Sequence, residues 1–215
     1  MTQTDIKHRT SKVGIAPYLW DASVGRVKFL VQLPKPKDPA DYDKMSWGLA
    51  RGTVGYRKSP DADFADLRDE NGKDILDPKM LSAIALDQIQ DHAQAATKEA
   101  QEELGVDLEP FFKAGLVQDH GAITYHSKSA GRDGQPKGSY DIHFYSVQLS
   151  GDADIDRSEL KDTDGLAWKT IAELKEMTKT MPAREQFKPE YIEVLEQIAK
   201  QINPPHPARG ATQRG

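Results

Sequence analysis

The stretch AATKEAQEELGV, residues 95–106, carries two opposed faces that together restrict the fold. Ile89, Ala93, Ala96 and Ala100 recur at i+4, i+3 and i+4, a narrow stripe of small residues suited to lying close on a β-sheet. The other side gathers Glu99, Glu102 and Glu103 within an arc of about 100°. Gly105 is placed to close the helix in the left-handed conformation, with Val106 as the hydrophobic residue beyond it. Acids in a last turn face the negative end of the helix dipole. Glu99 and Glu103, at i,i+4, add a repulsion of ~0.2–0.5 kcal/mol. Such a face is either simply solvated, as Glu-rich faces usually are, or it serves a cation.

The remaining chain supplies the sheet. KVGIAPYLW and RVKFLVQLP read as strands joined by a DASVGR turn, and a Pro- and charge-rich loop, PKPKDPADYDK, follows. MSWGLARGTVGYRKS holds short apolar pieces around two glycines, and residues 60–78 turn polar and acidic. Asp77-Pro78 is a plausible helix start, and a helical pattern runs from there to Leu104 with a break expected near Asp87–Asp91. KAGLVQDHGAITYH and SYDIHFYSVQL read as strands around the polar loop SKSAGRDGQPKG. GLAWK reads as a short strand leading to TIAELKEM, where Thr170 and Glu173 form a capping box. KPEYIEVLEQIAKQI puts Ile192, Leu195, Ile198 and Ile202 on one helical face. Strands and helices in mixed order predict an α/β or α+β domain with helices on both faces of a mixed sheet. The expected organisation is an N-terminal segment 1–11, a domain 12–202 interrupted by an insertion at about 57–86, and a flexible tail 203–215.

Composition narrows the function. A chain of 215 residues with 37% hydrophobic and 29% charged residues builds a real core in one domain. The net charge of −5, mixed along the chain, argues against a nucleic-acid partner but not against a small anionic substrate beside a metal. With no cysteine, thiolate catalysis, disulfides and cysteine-ligated zinc are excluded. MTQTDIKHRTSK has no apolar run of the signal-peptide kind and no segment reaches membrane-spanning length, so a cytoplasmic protein without a membrane partner is expected. A homodimer is left open.

Carboxylates grouped on one helix face are hard oxygen ligands, suited to Mg²⁺ or Mn²⁺ with waters and phosphate oxygens. Lys98-Glu99-Ala100-Gln101-Glu102-Glu103-Leu104-Gly105-Val106 resembles the second half of the Nudix box. Trp47-Gly48-Leu49-Ala50-Arg51-Gly52-Thr53-Val54 looks like the strand and loop that open it. With two strands before the box and DIHFYSVQL and GLAWKTIAEL after it, the resemblance covers roughly residues 12–200. It implies a Nudix-like α/β/α sandwich and a metal-dependent hydrolase that cleaves a diphosphate linkage in a nucleoside diphosphate derivative or similar nucleotide. It further implies that the Gly52 carbonyl and the carboxylates of Glu99, Glu102 and Glu103 bind Mg²⁺ (or Mn²⁺), or hold a metal-activated water. The family does not fix which glutamate is the base.

The sequence departs from the box in definite places. Gln90 stands where the pattern has Glu, and Lys98 where it has Arg, losing the planar two-point contact of a guanidinium. Gly55 stands where Glu is frequent. Gly52 to Gln90 spans 38 positions where the pattern has six, an insertion of 32 residues beside the metal-binding loop, expected to wall the substrate pocket or to lie idle. Lys98 and Gln90 would make a weaker pair than Arg and Glu, with Asp87 or Asp91 as substitutes. Arg57, Lys58, His126 and Glu159 are candidates for substrate contacts, each with a plain surface role as the alternative. His92, His120, His126 and His143 have no metal-ligand spacing, and His143 reads as a packed or hydrogen-bonded strand residue. The rival readings are a Nudix-fold binding or regulatory module with little turnover, and an unrelated helical interaction protein with an acidic face.

Overall fold

The computed structural model describes residues 12–23, 25–56, 65–66, 90–126, 139–180 and 182–202. The N-terminal segment, the tail, the loop SKSAGRDGQPKG and all of the insertion apart from Ala65–Asp66 and the residues flanking it lie outside that set. The elements are β1 (Lys12–Asp21), β2 (Arg26–Pro34), β3 (Ala50–Thr53), β4 (Gly55–Tyr56), β5 (Ala65–Asp66), α1 (His92–Leu104), α2 (Glu109–Lys113), β6 (Val117–His126), β7 (Ser139–Gln148), β8 (Thr163–Lys169), α3 (Ile171–Met177) and α4 (Glu190–Gln201).

Six strands form one mixed sheet in the order β6-β7-β1-β2-β8, with β3 also on β1. The pairing of β1 with β7 is parallel; those of β1 with β2, β1 with β3, β2 with β8 and β6 with β7 are antiparallel. The edge of β1 is shared. Its C-terminal half, Tyr18–Asp21, pairs with β2, and its N-terminal half, Lys12–Ile15, pairs with β3. Where β2 parts from β1, Gln32 and Gly48 exchange backbone hydrogen bonds at 2.9 Å and stitch the approach to β3 onto β2. This split in the sheet lies beneath the C-terminal half of α1.

Period-two alternation sends side chains to two cores. Val13, Ile15, Leu30, Ala50, Tyr145 and Val147 pack on one face with Ala95, Ala96, Ala100 and Leu104 of α1. Phe29, Val31, Ile142 and Phe144 pack on the other with Leu174 of α3 and Tyr191, Leu195 and Ile198 of α4. Helices cover both faces of a mixed sheet, so the chain is α/β, one of the two classes its element pattern allows and the one the resemblance implies. The alanine stripe is wider than expected: Ala95 joins Ala96 and Ala100 in full burial. The Thr170–Glu173 capping box forms as read.

α1 begins at His92, with the Asp91 side chain accepting from Ala93 N. That onset falls at the end of the region where a break was expected; the residues before Gln90 lie outside the described set. At the other end Gly105 adopts φ 67°, the conformation a side chain resists, and Val106 N–H returns to the Ala100 carbonyl at 3.1 Å. The remaining carbonyls of the last turn are answered by a strap running through residues 156–163. Lys161 N donates to Glu102 O at 3.0 Å, Thr163 Oγ1 to Glu103 O at 2.6 Å, and Asp156 N to Gly105 O at 2.7 Å. The helix end that bears the acids is therefore tied to β8, β3 and the strap together. Among the described residues no helix is long and apolar enough to cross a membrane.

Candidate active site

Position 52, on β3, faces α1, and there the backbone and the helix touch. A Cβ built on Gly52 would overlap the Glu99 carboxyl and its Cγ. Only glycine allows Glu99 to lie flat on this strand, so the loop glycine and the first helix carboxylate, 47 positions apart, share one spot.

One turn further, Glu103 reaches into the split between β2 and β3. Its Oε2 accepts from Arg51 N at 2.9 Å and from Gln32 Nε2 at 3.3 Å. The carboxyl is largely removed from water, and that desolvation pushes its pKa up to about 8. The Arg51 N–H bond opposes the rise, while the nearby charge of Glu99 adds to it. The charge of Glu99 thus lies close enough to oppose ionisation of Glu103.

Glu102 takes another direction. Its Oε1 lies 3.3 Å from Lys161 Nζ, at the solvent rim of the same helix end. Among the described residues, no three His, Cys, Asp or Glu side chains converge as a ready metal site. Two carboxylates are nevertheless a hard donor set of the number Mg²⁺ uses, since that ion keeps several waters and takes one or two carboxylates.

Among the described residues, the other sequence candidates lie apart. Glu159 is exposed on a short 3-10 turn, in a depression lined also by Gln101, Gly105 and Asp156 and by none of the three glutamates. Arg57, Lys58 and the side chain of His126 lie outside the described residues. Gln90 does not serve Lys98: its backbone N donates to Gly55 O at 2.9 Å, and its Oε1 accepts from Gly55 N at 2.9 Å. Lys98 is exposed and lines a groove with Thr97, Phe112 and Lys113. His143 is packed as expected, with Nε2 2.7 Å from Asp119 Oδ1 and its ring stacked on His92 at 4.6 Å.

Sequence reading missed Gln32, Thr163 and Lys161. The signal for Gln32 was present: it is the single polar residue in the apolar run FLVQL.

The solved structures to which this chain is similar include Nudix proteins. The Nudix domain of Shewanella oneidensis NrtR, complexed with ADP ribose, is 11% identical, with 94% of this chain and 100% of that chain covered and a TM-score of 0.49. The E. coli dihydroneopterin triphosphate pyrophosphohydrolase is 15% identical, with 91% and 98% covered and a TM-score of 0.47. A C. elegans Ap4A hydrolase in a binary complex is 14% identical, with 90% and 97% covered and a TM-score of 0.45. No family model matches the sequence, and no curated protein does.

Proposed function

We propose that this chain is a Nudix-type pyrophosphohydrolase that uses Mg²⁺ or Mn²⁺ to cleave a diphosphate linkage in a nucleotide-like substrate. The observation that carries the reading is the seating of Glu99 on Gly52. Gly52 and Glu99, which the resemblance assigns to two halves of one motif separated by a long insertion, lie against each other, and that contact supports the reading. A cation held by Glu99, Glu103 and the Gly52 carbonyl would supply neutralisation of phosphate charge and an acidified water. The chain's own part is to bring those oxygens to one place. Gly52 admits Glu99 by lacking a Cβ, and the Arg51 N–H anchors Glu103. Glu102, at the rim, joins the set when its pair with Lys161 opens. The proton that Glu103 retains near neutrality is released when a divalent charge arrives, so binding and ionisation are linked.

A second reading, a Nudix-fold binding or regulatory module with little turnover, draws support from the engagement of Glu102 by Lys161 and of Gln90 by Gly55. Incubation with Mg²⁺ or Mn²⁺ and a panel of dinucleoside polyphosphates, nucleotide sugars, ADP-ribose and nucleoside triphosphates separates the two. Release of mononucleotide or phosphate that disappears in Glu103→Gln supports the enzyme. Saturable binding without products supports the module.

A further inference from the structure

Along β2 the side chains alternate between the two cores. Phe29 and Val31 face α3 and α4, and Leu30 faces α1. Gln32 takes the next position on the α1 side and is only 4% exposed. An apolar residue would fill that place without penalty, whereas a buried amide is costly unless every polar atom finds a partner.

Its backbone groups and its amide nitrogen are in use. The backbone N and O of Gln32 are taken by Gly48. Its Nε2 donates to Glu103 Oε2 at 3.3 Å, and its Oε1 lies 3.3 Å from Thr163 Oγ1, whose single hydrogen serves the shorter bond to Glu103 O at 2.6 Å. Once Glu103 is ionised it only accepts, so the orientation with the amide nitrogen toward Glu103 is the one that suits the charged, cation-binding state. Arg51 N, at 2.9 Å, also lands on Oε2. Among the described residues, the two N–H groups that reach this carboxylate therefore share Oε2 and leave Oε1.

We propose that Gln32 is a positioning residue for Glu103. With Arg51 N–H it pins Oε2, stops rotation of the carboxylate, and leaves Oε1 as the ligand oxygen for the divalent cation. The inference rests on the metal-dependent reading given above. Residues that orient a metal ligand without touching the metal typically contribute 10–100-fold to affinity.

The test is Mn²⁺ binding, followed by electron paramagnetic resonance, in the wild type, Gln32→Met, Glu103→Gln and the double variant. Gln32→Met keeps the side-chain volume and removes the amide. It is expected to weaken Mn²⁺ binding about tenfold in the wild-type background and to change nothing further in the Glu103→Gln background. A purely structural role would cost the same factor in both backgrounds, and that result overturns the proposal. So does wild-type affinity in Gln32→Met. Should Gln32→Met not fold, Gln32→Asn gives the same readout, because it keeps an amide in the core but withdraws it from Oε2. A wild-type protein that binds no Mn²⁺ overturns the metal reading itself and this inference with it, an outcome distinct from wild-type binding that Gln32 does not influence.

Discussion

Glu103→Gln offers a test in which chemistry and stability move in opposite directions. In the metal-free fold the Glu103 carboxyl titrates at about 8 rather than at its ordinary 4.5, chiefly because burial penalises the charge. Between those values the folded state keeps a proton that the unfolded chain has already released. The unfolded state then binds fewer protons, so stability falls as pH rises through that window and levels off above it. At 1.36 kcal/mol per pKa unit, the full loss is about 5 kcal/mol. Relaxation and water entry, which raise the effective dielectric, reduce the measurable part to about 2–3 kcal/mol. The glutamine keeps an oxygen for Arg51 N and Gln32 Nε2 but carries no charge, so the variant lacks this loss. Thermal unfolding in chelator, followed by circular dichroism from about pH 5 to about pH 9, should show similar curves at the acid end. At the alkaline end the variant is expected to melt higher by about 5–10 °C. Mg²⁺ should then raise the wild type and leave the variant where it was, while hydrolysis is seen only in the wild type. Parallel pH profiles for the two proteins in chelator would refute the buried, proton-holding Glu103 on which the site is built.

Three further outcomes follow from other parts of the structure. Gly52→Ala should fold, since the overlapping atoms belong to a rotatable side chain, but displacement of Glu99 should weaken Mn²⁺ binding by about tenfold or more; unchanged binding by calorimetry would detach Glu99 from the site. The pair Gln90→Glu with Lys98→Arg should retain turnover, because a carboxylate still accepts from Gly55 N and position 98 is exposed; a large loss of kcat in a folded double variant would show that Gln90 acts elsewhere. His120, half-buried between Gln201 and Ser146, has its pKa lowered by burial, so the unfolded chain takes up the proton first and stability falls as pH drops below about 6.5; this acid-side fall should be smaller in His120→Gln, as measured by urea unfolding.

The elements legible in the sequence are those written by neighbours in the chain. The alternation of β1 and β2, the Gly105 cap and the Thr170–Glu173 box each lie within a few residues, and each forms. α2, five residues long, is too short to display a period and went unread. The site was legible only as far as a motif reaches. Glu99, Glu102 and Glu103 share a helix face that spacing alone reveals. What separates them is set by partners far along the chain: Lys161 is 59 positions from Glu102, and Gln32 is 71 positions from Glu103. No local rule distinguishes three glutamates in one turn. The sheet and the strap do, by offering one a glycine, one a lysine and one a pair of N–H groups.

That division also answers why the acids stand at the unfavourable end of α1. Dipole and i,i+4 terms together amount to about 1 kcal/mol, and the exposed Glu102–Lys161 pair returns no more than about that. The large cost is confined to Glu103, and it arises from tertiary burial, not from helix position. A solvated acidic face would avoid that cost by turning outward, as Glu102 does. Glu103 instead points into the split between β2 and β3, where two N–H groups hold one oxygen and the charge of Glu99 lies close by. Carboxylates kept near each other in a low-dielectric recess repel until a positive charge joins them. The arrangement therefore makes sense as half of an ion site whose other half arrives from solution.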